Sequence, residues 1–227
     1  MSKKVEVFSI TTTLPSKNLN PIENISYYLL KLFYCLSINF YYIFAKRNKM
    51  KKETKFTWNL IKLFCWLIFA GLSVQTGALL FNYIYSIFKP IAAENLYLGL
   101  NLSSIYDQSF YLYSCLFSLI IGISFMKAYT FYLVLSLFKI LNLQKPFSIE
   151  VSNIISKISY LGFGVGLSGY IATKYTLQLS KKGYFVDEVS NFWNDSFAYL
   201  MLSAILFVIS LIFKKGIELQ NEIDLTV

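Results

Sequence analysis

The chain has 227 residues, of which 56% are hydrophobic, 19% aromatic and only 15% charged, against about 25% charged residues in an ordinary soluble domain. It carries a net charge of +9 and no histidine, which excludes histidine triads, histidine-ligated zinc and imidazole acid–base chemistry. The basic excess gathers beside apolar runs, where such residues face anionic lipid and set topology, so direct nucleic-acid binding is not expected.

Residues 1–24 are polar and contain Pro15 and Pro21; they lack the apolar region that closely follows the basic start of a signal peptide. Ile25–Ala45 is interrupted by Lys31, leaving 14 uncharged residues from Leu32 to Ala45. That is short for a span and reads as an extra N-terminal hydrophobic helix at the interface, as a weak signal anchor, or as a stretch not selected for insertion. Next come six basic residues in the ten positions 46–55. Met50-Lys51-Lys52 has the form of a membrane-protein start, which predicts translation from Met50 and residues 1–49 as an upstream extension. A genuine extra helix is the alternative. The chain thus divides into 1–49, a polar leader with a hydrophobic helix, and 50–227, a transmembrane domain with a short acidic tail.

Four spans follow, about Leu60–Phe88, Ser109–Phe138, Ile154–Leu179 and Ser196–Phe213. The first and last contain uncharged runs of 26 residues (Leu63–Phe88) and 18 residues (Ser196–Phe213), long enough to cross a bilayer core as helices. Lys89-Pro90 ends the first, and Ile91–Gln108 reads as a loop. The expected fold is all-α, an integral membrane bundle of four transmembrane helices. The Met50 cluster, Lys139, Lys145, Lys157, Lys214 and Lys215 fall on one side of it. Lys89, Lys174, Lys181 and Lys182 fall on the other, beside Asp187, Glu188 and Asp195. The positive-inside rule then makes the C-terminus cytoplasmic.

Few residues invite chemistry. Cys35, Cys65 and Cys115 lie in apolar runs without C-x-x-C spacing and read as packing residues; no metal or cofactor is expected. Gly164-x-Gly166-x-x-Gly169 fits a dinucleotide fingerprint, but inside an apolar span and without a βαβ pattern it reads as helix packing. Gly162 with Gly166, and Gly164 with Ser168, have the four-residue spacing that lets helices approach closely in lipid. Lys127 is the one ionisable residue well inside a span. With no matching intramembrane carboxylate in sight, the expectation is that it snorkels to the cytoplasmic interface, a functional role being the alternative. Gln75 and Thr76 read as interhelical hydrogen bonders. Lys181–Glu188 with Phe192-Trp193 reads as an interfacial aromatic belt, or else a ligand-sensing surface. Ser148 is placed to cap the third helix, with Glu150 in its first turn. The tail after Lys215 carries Glu218, Gln220, Glu222, Asp224 and Leu225, either as a solvated end or as a docking peptide.

Lys145-Pro146-Phe147-Ser148, the glycine-rich third span, Gly216-Ile217-Glu218-Leu219-Gln220 and Glu222–Val227 together resemble a family of bacterial membrane proteins, domain of unknown function 2975. The ending is the most specific part: members commonly finish in a Glu-Asn-Asp-Leu-Thr-Val-like stretch, and Ile223 stands here for the usual Asn. The likeness covers about Thr57–Val227. It implies four helices in the bacterial inner membrane, no catalytic residues to carry over, and a neighbouring gene for a small helix-turn-helix regulator. The expectation is therefore a non-enzymatic membrane protein that recruits or sequesters such a regulator through its acidic tail. The alternatives are a transport or permeability component, oligomeric and with Lys127 lining an anion path, and an immunity-type protein. An intramembrane enzyme is the weakest reading, since paired carboxylates and an activated nucleophile are lacking.

Overall fold

In the computed structural model the described residues are Lys31, Tyr34, Ile38, residues 52–142 and residues 146–226. Lys31, Tyr34 and Ile38 are helical and belong to a separate unit, residues 1–38. The Met50 start and the rest of the expected helix over Ile25–Ala45 lie outside the described residues.

The apolar runs become long helices. Helix α1 spans Lys52–Phe88 and stops at Lys89-Pro90, where proline can only begin a new turn; Pro90 opens a 3-10 helix, Pro90–Glu94. A second 3-10 turn, Tyr97–Gly99, and the short helix α2, Ser103–Gln108, lead to α3, Phe110–Ile140. Helix α4 spans Ile149–Lys181. A 3-10 helix over Asp187–Phe192 precedes α5, Ser196–Thr226.

The ends of these helices follow from local chemistry. Ser109 and Ser148 are the N-caps of α3 and α4, their Oγ atoms accepting from the Leu112 and Val151 N–H groups at 3.4 and 3.3 Å. Glu150 lies in the first turn of α4, where the helix dipole favours an acid. At the other end of α4, Gly183 takes φ +89°. It donates to the Ser180 carbonyl at 2.9 Å while the Tyr184 N–H reaches the Leu179 carbonyl at 3.2 Å, which closes the helix in a Schellman motif. Ser148→Ala should lower stability by about 1 kcal/mol, read as an earlier midpoint of SDS-induced unfolding; an unchanged midpoint would show that this cap contributes nothing.

Among the described residues four helical stretches are long and apolar enough to span a membrane: Phe56–Phe88, Phe110–Ile140, Ile149–Lys181 and Glu188–Glu222. With no β-strand among the described residues, the chain is an all-helical, multi-pass membrane protein. Each stretch has 31 to 35 residues, which at 1.5 Å per residue is about 45–50 Å of helix, against a hydrocarbon core of about 30 Å. The helices are therefore longer than the core is thick, an excess taken up by tilt or by projection beyond it.

The connection between α1 and α3 is packed. The segment Ile91–Gln108, which reads as a loop from sequence, buries Ala93, Leu96, Leu100, Leu102 and Ile105. With Leu79 of α1, Tyr113, Phe117 and Ile120 of α3, and Val189 and Trp193 they form one apolar core. Buried Tyr113 donates its hydroxyl to Ser86 Oγ at 2.6 Å, tying α3 to α1. Trp193 is 2% exposed and Phe192 is also buried. They are core residues here, and the expected interfacial belt does not include them. Phe185, in contrast, is exposed.

Helix α1 packs on α3, α3 on α4, and α4 on α5, while α1 touches neither α4 nor α5. The α4–α5 contact is a seam of small residues. Gly162, Gly166 and Gly169 of α4 face Ser203, Leu200 and Ser196 of α5, whereas Gly164 faces Met126 of α3 and Ser168 is half-buried. Ser159 Oγ donates to the Ser203 carbonyl at 2.8 Å, and Ser152 Oγ to the Ser210 carbonyl at 3.4 Å. Ser196, Ser203 and Ser210 recur every seven residues, the period that keeps one stripe of α5 against its neighbour. In lipid, close backbone approach and such hydrogen bonds supply the association that apolar burial cannot.

Candidate binding cleft and tail helix

The row of helices leaves an opening between α1 and α5, floored by α3. Lys127 sits there, about 25 Å along α3 from Phe110 and about 20 Å from Ile140. It is 8% exposed. Its Nζ donates to Asp195 Oδ1 and Oδ2 at 2.6 and 2.8 Å and to the Phe192 carbonyl at 2.9 Å. The Tyr199 ring lies 5.5 Å from it. An ammonium has three N–H donors; those facing the Asp195 carboxylate and the Phe192 carbonyl are engaged.

This geometry corrects two expectations. Lys127 does not snorkel towards the basic end; it is held at mid-helix. A matching carboxylate exists, 68 positions along the chain, immediately before α5. Asp195 accepts the Tyr199 N–H on its own carbonyl at 3.2 Å in the first turn of that helix, so its carboxylate also sits where the helix dipole favours negative charge. The Asp195 side chain is 48% exposed, against 10% for that of Lys127. The pair thus joins a buried cation to a carboxylate that still faces open space.

That space is a cavity of about 290 Å³ walled by Ile68, Leu72 and Gln75 of α1, Ser124 and Phe131 of α3, Tyr199 of α5, and Asn191 and Phe192. A second cavity of about 280 Å³ shares Gln75, Asn191 and Phe192 and adds Tyr97, Leu98, Leu100 and Glu188. The two adjoin along those shared residues. Leu98 stands at the rim, 82% exposed with φ +60°, beside Gly99 at φ +77°. A left-handed leucine is a strained backbone position.

The other polar residues inside the spans divide. Thr76 hydroxyl donates to the Leu72 carbonyl of its own helix at 2.8 Å, so it does not bridge helices as expected. Gln75 lines the cleft, and its amide has no partner among the described residues.

At the basic end, α5 continues past Lys214-Lys215 without a break to Thr226, so the tail is helical. Phe147 lies over Gly216, where a Cβ would sit 2.7 Å from its ring, and its ring is 5.2 Å from that of Phe213. The Pro-Phe-Ser and Gly-Ile-Glu segments that carry the family resemblance are therefore in contact. Glu218 and Glu222 are exposed and one helical turn apart. Lys215 pairs with Glu218 at 2.8 Å, an exposed contact that a partner's charge can replace at little cost. Gln220 is half-buried, and Asp224 and Leu225 fall in the last turn. Among the described residues no three Cys, Asp or Glu side chains gather to hold a metal ion.

The family profile described as "Protein of unknown function (DUF2975)" matches residues 97–227. The match begins after α1, so it is shorter at its N-terminal end than the likeness from about Thr57. No curated protein and no solved structure matches.

Proposed function

The chain belongs to the DUF2975 family of proteins of unknown function, and from that premise we propose that it is a non-enzymatic bacterial inner-membrane adaptor. In this reading its cytoplasmic tail helix recruits or sequesters a small helix-turn-helix regulator. The observation that carries it is the unbroken course of α5 through Lys214-Lys215 to Thr226, braced at its exit by Phe147 on Gly216. A loose solvated end would have neither a fixed helix nor a packed base. Glu218, Glu222 and Asp224 give this helix an acidic character suited to the basic DNA-reading surface of such a regulator, and occupying that surface would withhold it from DNA. The same helix begins immediately after Asp195 of the cleft, so a change there has a rigid route to the tail.

Against Lys127 lining an anion path stands its ion pair with Asp195, which offsets its charge. The test is crosslinking and affinity capture from the native membrane, comparing the full chain with one truncated after Gly216. A small DNA-binding protein should be recovered with the full chain and lost on truncation. Equal recovery with both forms would remove the tail from the mechanism.

A further inference from the structure

We propose that the cleft between α1 and α5 is a binding site for an amphiphilic organic ammonium, a molecule with one protonated amine and a compact apolar body. The inference deepens the adaptor reading by assigning a ligand class to the cleft end of α5.

The cleft holds unspent hydrogen-bonding capacity. A carboxylate offers about four lone-pair sites; Lys127 takes up one side of Asp195, and the side chain remains 48% exposed. Gln75 and Asn191 bring amide groups with no partner among the described residues. Glu188 adds a second carboxylate at the wall of the adjoining cavity. Set against the two carboxylates, the one cation lining either cavity among the described residues is Lys127, which is already paired with Asp195. The amides can donate as well as accept, and two carboxylates against one ammonium leave the space with a net negative charge.

An anion meets a net negative charge there, and a bare metal ion finds too few carboxylates, with a lysine already seated on the nearest one. A protonated amine supplies what is missing: a positive charge and up to three N–H donors. Ile68, Leu72, Phe131 and Phe192 supply apolar walls for the remainder of the molecule. Two adjoining cavities of about 280 and 290 Å³ reach the size range of small-molecule sites.

The experiment uses the full chain in phosphatidylcholine nanodiscs and measures saturable binding of radiolabelled phenethylammonium. Unlabelled 2-phenylethanol and phenylacetate serve as neutral and anionic competitors. Saturable binding is expected, with neither competitor displacing the probe at tenfold excess. The Gln75→Leu/Glu188→Gln variant leaves the Lys127–Asp195 pair intact and should weaken binding at least tenfold. Lys127→Met/Asp195→Leu removes the pair without stranding a charge and should abolish binding, with helix content checked by circular dichroism. No saturable binding, displacement by either competitor, or undiminished affinity in the Gln75→Leu/Glu188→Gln variant would overturn the proposal. Regulator capture reads the tail and this assay reads the cleft, so either can fail alone.

Discussion

Gly166→Val is expected to force α4 and α5 apart and to lower stability by about 3 kcal/mol, at the upper end of the range for overpacking. A Cβ at Gly166 would meet Leu200 Cγ at 2.5 Å, Leu200 Cδ2 at 2.7 Å and the Ser196 carbonyl oxygen at 2.9 Å. Leu200 can change rotamer, but the Ser196 oxygen is backbone and moves only if α5 moves. Displacing α5 would also stretch the contact from Ser159 to the Ser203 carbonyl, one of the interactions that replace hydrophobic burial inside a bilayer. Gly122→Ala is the matched control: it lies in α3, and a Cβ there would meet nothing within 4 Å. That change should be neutral or stabilising by up to about 1 kcal/mol through helix propensity. SDS-induced unfolding of the two variants should give clearly separated midpoints; coincident midpoints would remove the small-residue seam as the basis of the α4–α5 contact.

Asp195→Ala is expected to be more damaging than removing both members of the pair. It leaves the Lys127 ammonium buried with one remaining acceptor, the Phe192 carbonyl. Stranding one charge of a buried pair costs about 3–5 kcal/mol. The half-exposed Asp195 side admits water and brings the expected loss to the lower end, about 3 kcal/mol. Lys127→Met/Asp195→Leu strands no charge and should recover most of that loss. A double-mutant cycle over Asp195→Leu, Lys127→Met and the combined variant isolates the coupling. Additive losses would mean that the two side chains do not act as a pair.

The four spans were legible because bilayer thickness dictates apolar length, and their limits carry plain signals: Lys89-Pro90 after α1, Ser148 before α4, Lys214-Lys215 beyond the last uncharged run. The cleft was not legible. Asp195 lies one residue before the uncharged run that defines the last span, so a search for intramembrane carboxylates passes over it; only the fold brings it to Lys127. Ile91–Gln108 has the length and polarity of a loop, and nothing local signals that Leu102 and Ile105 enter a core. The seam was half legible. The four-residue glycine spacing pointed to close packing, while the sevenfold recurrence of Ser196, Ser203 and Ser210 was the overlooked sign of the facing stripe. Phe147 and Gly216 both stood in the segments that carry the family resemblance, but their contact is long-range and needs the antiparallel α4–α5 pair.

In the proposed function one helix, α5, joins the Lys127–Asp195 cleft to a docking helix in the cytoplasm. Single-cysteine accessibility tests it most directly. With Cys35, Cys65 and Cys115 replaced by alanine, Phe185→Cys and Glu222→Cys are each exposed in whole cells to a membrane-impermeant maleimide. The account predicts labelling of Phe185→Cys in intact cells and of Glu222→Cys only after permeabilisation. Labelling of Glu222→Cys in intact cells would place the tail outside and contradict the account.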